Sequence, residues 1–302
     1  MKFHLRALSV AVLAAPLAGC ATYDLIKPPP AQSQPIAIAF SNEGPSGWTD
    51  LPIGTYRIPG RTVIVSGQQK GGGIGMMFGL VGVLAESAVS TAGEKRAVNG
   101  AESELRLDLA PEANGLAQQA LASGRYGQTF AALVDPNGLT LEVAPYTVLT
   151  FETDTAVRPA VILKATLKSP VDGQLWMSRY IAISGAALPL SGGNGLTADS
   201  GRLLKTAVSL DLQRAMGAML DDVATRRGRD GNVQVYVETA MPFVRPRFGL
   251  TGTELSDDNG ALVLVSKIAD ANVFAGVLIF DDAATLHRPA TADDKIHVLD
   301  EK

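Results

Sequence analysis

The only cysteine of this 302-residue chain is Cys20, and it lies at the end of an apolar N-terminal run. Lys2 and Arg6 precede this run, and residues 7–17 are uncharged and mostly apolar. The run is about half as long as a membrane-spanning helix, which is typical of a secretory signal peptide. Because there is no second thiol, the exported part must fold without disulfides or thiolate metal ligands, so its stability has to come from an apolar core.

The residues around the cysteine resemble the lipobox of bacterial lipoproteins, with Leu17, Ala18 and Gly19 preceding Cys20. The resemblance implies that a dedicated peptidase recognises Leu17, Ala18 and Gly19 and removes residues 1–19. It also implies that Cys20 carries a diacylglycerol and an N-acyl chain, which would be the only cofactor-like group. An ordinary signal peptide with a chance cysteine is the alternative. The chain has no aspartate directly after Cys20, and in this it resembles lipoproteins of the outer-membrane class. We therefore expect an envelope location at the outer membrane, facing the periplasm.

Three regions follow the signal peptide in the predicted domain organisation. Residues 20–35 form a lipidated, proline-rich tether, which at about 3.1 Å per residue would let the folded part stand roughly 45 Å from the membrane. Residues 36–286 form the globular region, either whole or as two subdomains divided near residues 185–198. Residues 287–302 form a polar tail.

The apolar patterning predicts an α+β fold with mixed or antiparallel sheets. Residues 160–168 and 174–183 alternate around the turn at residues 170–173, which is typical of a β-hairpin. A long amphipathic helix is expected at about residues 199–227, since apolar residues recur there every three and four positions. Three arginines close that helix where its dipole favours cations, and a partner-binding patch is the alternative explanation for them; they are Arg226, Arg227 and Arg229.

A second, shorter helix is predicted at about residues 74–91 in a glycine-rich segment. Gly71, Gly75 and Gly79 are spaced by four, and small residues at that spacing let helices approach closely. Three interpretations stay open: a helix buried in the core, a glycine-zipper helix that self-associates or dips into lipid, and a glycine-rich loop.

The sequence contains no recognisable catalytic, metal or nucleotide motif. Apart from His4 in the signal region, the histidines are His287 and His297, which lie near the polar tail outside any motif. A formal net charge of −4 disfavours binding to nucleic acid through phosphate contacts. We therefore predict no catalytic residues, no metal site and no nucleic-acid partner, with an enzymatic role left open but not favoured.

The candidate partner surface is the segment that contains Arg245, Arg247 and Phe248, because arginine and aromatic side chains are enriched at interfaces. An irregular edge segment is the alternative interpretation of these residues.

Part of the chain resembles periplasmic lipoproteins of the curli-secretion and transport-auxiliary type. The strand at residues 161–167, the Asp172-Gly173 turn, Trp176 and the helix from Asp199 carry the resemblance, which covers less than a quarter of the chain. It implies a non-enzymatic accessory, scaffold or assembly role through binding of another envelope protein. The alternatives are a glycine-zipper lipoprotein that is membrane-active or forms homo-oligomers, and a cryptic hydrolase of envelope polymers.

Overall fold

The computed structural model describes residues 25–45, 50–52, 54–60, 62–68, 84–131, 133, 135–229, 233–258, 260–266 and 272–299. Within these residues, thirteen strands form one mixed sheet. The strands are β1 (Ile36–Phe40), β2 (Tyr56–Arg57), β3 (Val63–Ser66), β4 (Leu139–Phe151), β5 (Ala156–Ser169), β6 (Gly173–Ile183), β7 (Leu188–Pro189), β8 (Gln234–Ala240), β9 (Arg247–Asp258), β10 (Ala261–Ser266), β11 (Gly276–Asp281), β12 (Leu286–Pro289) and β13 (His297–Val298).

Three α-helices accompany the sheet in the described part of the chain: α1 (Leu84–Ala97), α2 (Leu109–Ala122) and α3 (Ala198–Thr225). The backbone is left-handed at Asp199 (φ 51°) and Ser200 (φ 57°), so the regular part of α3 begins only after Gly201. The long helix lies where the apolar periodicity predicted it. None of the described helices is long and apolar enough to cross a bilayer.

The sheet is organised around the long strands β4, β5 and β6, which pair antiparallel in sequence order. On the far side of β4, β1 and β3 pair in parallel with its first and second halves. On the far side of β6, β11 pairs in parallel through Val277–Phe280 and Tyr180–Ile183. This parallel pair joins the C-terminal strands β8–β13 to the rest, so the sheet continues across the glycine-rich residues 185–198.

Each face of the sheet is buried in a different way. The face with Val161 and Leu163 of β5 packs against α3 through a cluster that includes Leu212. Ile162 points to the opposite face, as strand alternation requires, and shares a second cluster with Leu250 of β9. The sheet therefore curves until its C-terminal strands cover its own second face.

The expectation of an α+β fold is wrong, because the described chain is β-rich, with 37% strand and 23% helix around one large sheet. Short apolar runs indicated strands, but they carried no information on which strands pair over long sequence separations. The polar tail also adds two strands, since β12 pairs with β8 and β13 pairs with β9.

Candidate functional site

The segment that follows the predicted lipidation site is docked onto the body of the protein. Leu25 is buried, and its carbonyl oxygen accepts a hydrogen bond from the Ser178 hydroxyl at 2.7 Å. The carbonyl oxygen of Lys27 accepts one from Trp176 Nε1 at 3.0 Å. Since Leu25 lies at Ser178 and Lys27 lies at Trp176, the segment runs along β6 toward the β5–β6 turn.

Two arginines after the end of α3 hold the other side of the same segment. Arg229 Nε donates to the carbonyl oxygen of Ile26, and Arg226 Nε donates to that of Pro29, each at 3.1 Å. Arg226 has a left-handed backbone (φ 51°) that ends the helix and turns the chain toward the segment. From the sequence, the helix dipole explains these arginines, but they also bind main-chain carbonyls. Residues 25–29 are therefore a docked segment and not a free tether.

A buried acidic residue of α3 fixes the position of the Arg229 side chain. Asp222 accepts two hydrogen bonds from the Arg229 guanidinium, both at 2.8 Å, and one from the Tyr180 hydroxyl at 2.7 Å. Burial and the neighbouring Asp222 carboxylate raise the pKa of Tyr180 well above its ordinary value, so the phenol keeps its proton and donates. The docking site is therefore built from side chains that are themselves fixed.

Two adjoining grooves flank α3, one beside the sheet and one beside α2. One, with a cavity of about 300 Å³, has a floor of Ala261, Val263 and Ile279 and is bordered by Leu210. The other, of about 320 Å³, lies between α2 and α3. They share lining residues around Gly217, where the missing side chain lowers the helix surface. Together they form an apolar depression along the helix.

Charged groups border these grooves. Asp221 pairs with Arg125 at 2.8 Å and with Arg227 at 3.5 Å. Burial and the charge of Asp221 raise the pKa of the adjacent Tyr126 to about 12. The rim is thus a set of paired charges around an apolar floor, which is the usual arrangement at protein interfaces.

A polar cleft of about 230 Å³ lies elsewhere, beside β4, β5 and β6, and Asp50, Glu142 and Lys164 line it. Asp50 is buried between Lys164 Nζ at 2.6 Å and Arg179 Nη2 at 2.8 Å. Burial raises the pKa of Asp50, but the hydrogen bonds from the two cations outweigh it and leave the pKa below its ordinary value. Asp50 therefore stays ionised near neutral pH and does not suit a general acid.

The acids whose pKa is raised are placed differently. Burial raises the pKa of Glu94 to about 7 and that of Asp211 to about 6. Glu94 accepts a hydrogen bond from the Gln68 backbone N–H at 2.7 Å, and Asp211 accepts one from the Ser184 hydroxyl. Neither residue lines any of the three cavities described above. Glu94 and Asp211 are therefore not placed to act in these cavities as the protonated acid that a glycosidase-type hydrolase uses.

The three residues of the predicted partner surface differ in burial, since Phe248 is buried, Arg245 is half-buried and Arg247 is exposed. Phe248 is buried in the core, and Arg245 pairs with Asp154 at 2.9 Å and donates to the Glu152 carbonyl oxygen at 3.0 Å. Arg247 donates to the Glu238 carbonyl oxygen at 3.1 Å. The Arg245 contacts fasten the β8–β9 connection to the end of β4, and because Phe248 is buried the segment does not form an open arginine–aromatic patch.

The other predicted site residues lie outside the described residues: Leu17, Ala18, Gly19 and Cys20 of the lipobox, and Gly71, Gly75 and Gly79 of the glycine-rich segment. The predicted helix at about residues 74–91 falls largely there too, although α1 begins at Leu84. No group of three metal-ligating side chains occurs within the described ranges.

Sequence reasoning missed the docking site for residues 25–29. Trp176 and Ser178 stood out only as members of an alternating strand, and the proline-rich composition of residues 28–35 favoured a free chain. No local pattern marks a backbone carbonyl as the acceptor for a side chain about 150 residues away. Comparison with protein families and with curated proteins finds no match to this chain.

Proposed function

We propose that this chain is a lipid-anchored protein of the bacterial envelope with a non-enzymatic accessory or scaffold role, exerted by binding another protein at the outer membrane. The docking of residues 25–29 is the observation that carries the proposal. A chain that is fastened to its own body immediately after the predicted Cys20 anchor suits a protein whose position relative to the membrane matters.

The short chain between Cys20 and Leu25 supports this view. Leu25 lies five residues after Cys20, and an extended chain covers about 3.3–3.6 Å per residue. The body would therefore stay within roughly 18 Å of the lipid, instead of moving on a long tether. Such a protein acts as a fixed element near the bilayer, which fits a scaffold better than a freely diffusing enzyme.

The grooves that flank α3 are where we place the partner contact. Their floor is apolar, and Leu210 at the border is 46% exposed. A partner segment that lays an apolar side along α3 would bury this floor while the paired charges of the rim stay hydrated, as in helix-in-groove recognition.

The anchor is tested by intact mass and membrane fractionation of the wild type and of Cys20→Ser. We expect the wild type to carry the mass of the acyl groups and to fractionate with the outer membrane. We expect Cys20→Ser to be unprocessed or soluble. Equal masses and a soluble wild type would remove the basis of the proposal.

The partner contact is tested by site-specific photo-crosslinking in cells, with a benzophenone amino acid at Leu210 and, as the matched control, at Leu286, which is 63% exposed on β12. We expect one discrete crosslinked protein from position 210 and none from position 286. A crosslink to a second copy of this chain would identify a homo-oligomer. The same adducts from both positions, or none from position 210, would contradict the groove assignment.

A further inference from the structure

We propose that one end of the sheet, the end with the β5–β6 turn, rests on the membrane surface and contacts phospholipid headgroups. This inference deepens the proposed function and rests on the lipid anchor at Cys20. It assigns the contact to two exposed apolar side chains, Leu133 and Val171, and to the nearby cations Lys27 and Arg226.

The strand register places the two apolar side chains at the same end of the sheet. Thr140 near the start of β4 pairs with Lys168 near the end of β5, and Ser169 pairs with Gly173 across the turn. Leu133 lies in the connection that enters β4, and Val171 lies in the β5–β6 turn. They are 83% and 88% exposed, the highest values among the large apolar side chains of the described residues.

The direction of α3 places cations at the same end. Ser184, just past the far end of β6, contacts Asp211, whereas Tyr180, closer to the turn, contacts Asp222. The helix therefore runs toward the β5–β6 turn, and its C-terminal arginines emerge there. Arg226 is exposed, and so is Lys27 in the docked segment beside Trp176.

The predicted anchor can reach this end. The turn at Gly173 lies five residues from Ser178, which is about 17 Å at the rise of a β-strand. Leu25 is held at Ser178, and the five residues back to Cys20 span up to roughly 18 Å. At full extension this reach just equals the distance to the turn, and because residues 25–27 run toward the turn, the chain between Cys20 and Leu25 must fold back along β6 for the lipid to enter a bilayer there.

The combination of side chains suits a lipid surface. A single exposed apolar residue is common on soluble proteins, but here two of them share one end with basic residues. Peripheral membrane proteins bind by inserting apolar side chains at the headgroup level while lysine and arginine contact anionic lipids. A bilayer that contains phosphatidylglycerol offers both kinds of contact.

The test uses the acylated full-length mature protein, reconstituted into vesicles of phosphatidylethanolamine and phosphatidylglycerol. Cys20 is the only native cysteine and its sulfur is occupied by lipid, so Val171→Cys, Leu133→Cys and the control Leu286→Cys each give one labelling site. Each variant carries an environment-sensitive fluorophore, and the vesicles contain a lipid with a quencher at the headgroup level.

We expect the fluorophores at positions 171 and 133 to be quenched at least two-fold more than the one at position 286. Similar quenching at all three positions, or quenching only at position 286, would overturn the proposed orientation. If the protein floats with the vesicles but none of the probes is quenched, the orientation is wrong while the anchor stands. If the protein does not float at all, the anchor itself is wrong.

Discussion

The indole nitrogen of Trp176 donates a hydrogen bond to the carbonyl oxygen of Lys27 across 3.0 Å, and this contact ties the segment after the predicted lipidation site to the central strand β6. With the Ser178 hydroxyl bound to the Leu25 carbonyl oxygen, it converts what would be a free leader into part of the folded body. The docked segment is what links the predicted anchor to a defined orientation.

Loss of these two donors should release the segment without unfolding the sheet. In the double variant Trp176→Phe, Ser178→Ala, each lost hydrogen bond removes about 1 kcal/mol from the docked state. We expect amide hydrogen exchange at Ile26 and Lys27 to accelerate by about 10-fold or more while the amides of β4 exchange as in the wild type. Unchanged exchange at both amides would show that the segment is held by other contacts.

Removal of the Asp222 carboxylate should be strongly destabilising. In Asp222→Ala, the Arg229 guanidinium loses its two acceptor oxygens in a site where its side chain is 11% exposed, and such a buried unpaired charge costs about 3–5 kcal/mol. The control is Asp199→Asn, because Asp199 pairs with Arg202 in solvent and asparagine tolerates its left-handed backbone, so loss of this pair should cost less than about 1 kcal/mol. Equal midpoints of urea unfolding for the two variants would contradict this account.

The raised pKa of Glu94 predicts a pH dependence of stability. Since the pKa rises from 4.5 to about 7 on folding, the folded state binds more protons in this window, and the free energy of unfolding should fall as pH rises through it. Glu94→Gln keeps an acceptor for the Gln68 N–H. Its free energy of unfolding, relative to that of the wild type, should increase by about 2–3 kcal/mol from pH 4.5 to above pH 7. Urea unfolding at several pH values measures this difference.

Glu112→Gln on the exposed side of α2 controls for the loss of charge alone. If its stability difference from the wild type followed the same pH course as that of Glu94→Gln, the cause would not be the burial of Glu94.

Two glycines should respond in opposite ways to a methyl group. A Cβ at residue 276 would overlap the Arg179 carbonyl oxygen where β11 meets β6, so Gly276→Ala should destabilise by about 1–3 kcal/mol. Gly217 on α3 has no atom near its added Cβ, so Gly217→Ala should stabilise by about 0.5–1 kcal/mol through helix propensity. Thermal unfolding measures both; destabilisation by Gly217→Ala would indicate that this position needs a glycine for another reason.

Local patterns in the sequence predicted local structure. The alternation on both sides of the Asp172-Gly173 turn predicted the β5–β6 hairpin, and apolar residues at helical spacing predicted the long helix. The lipobox at Cys20 is also a local pattern, and it stays a prediction. In contrast, Phe130 begins the apolar run at residues 130–134 but forms only an isolated bridge to Ile36.

What the sequence by itself determined was where most strands and the long helix lie, because their periodicity is repeated within ten or twenty consecutive residues. Only the tertiary structure decided that β11 joins β6, that Phe248 is core and that residues 25–29 are docked. Each of these depends on contacts between residues far apart in the chain. The free energy of such a contact comes from burying two complementary surfaces together. The local sequence of one surface does not specify which distant segment it will contact.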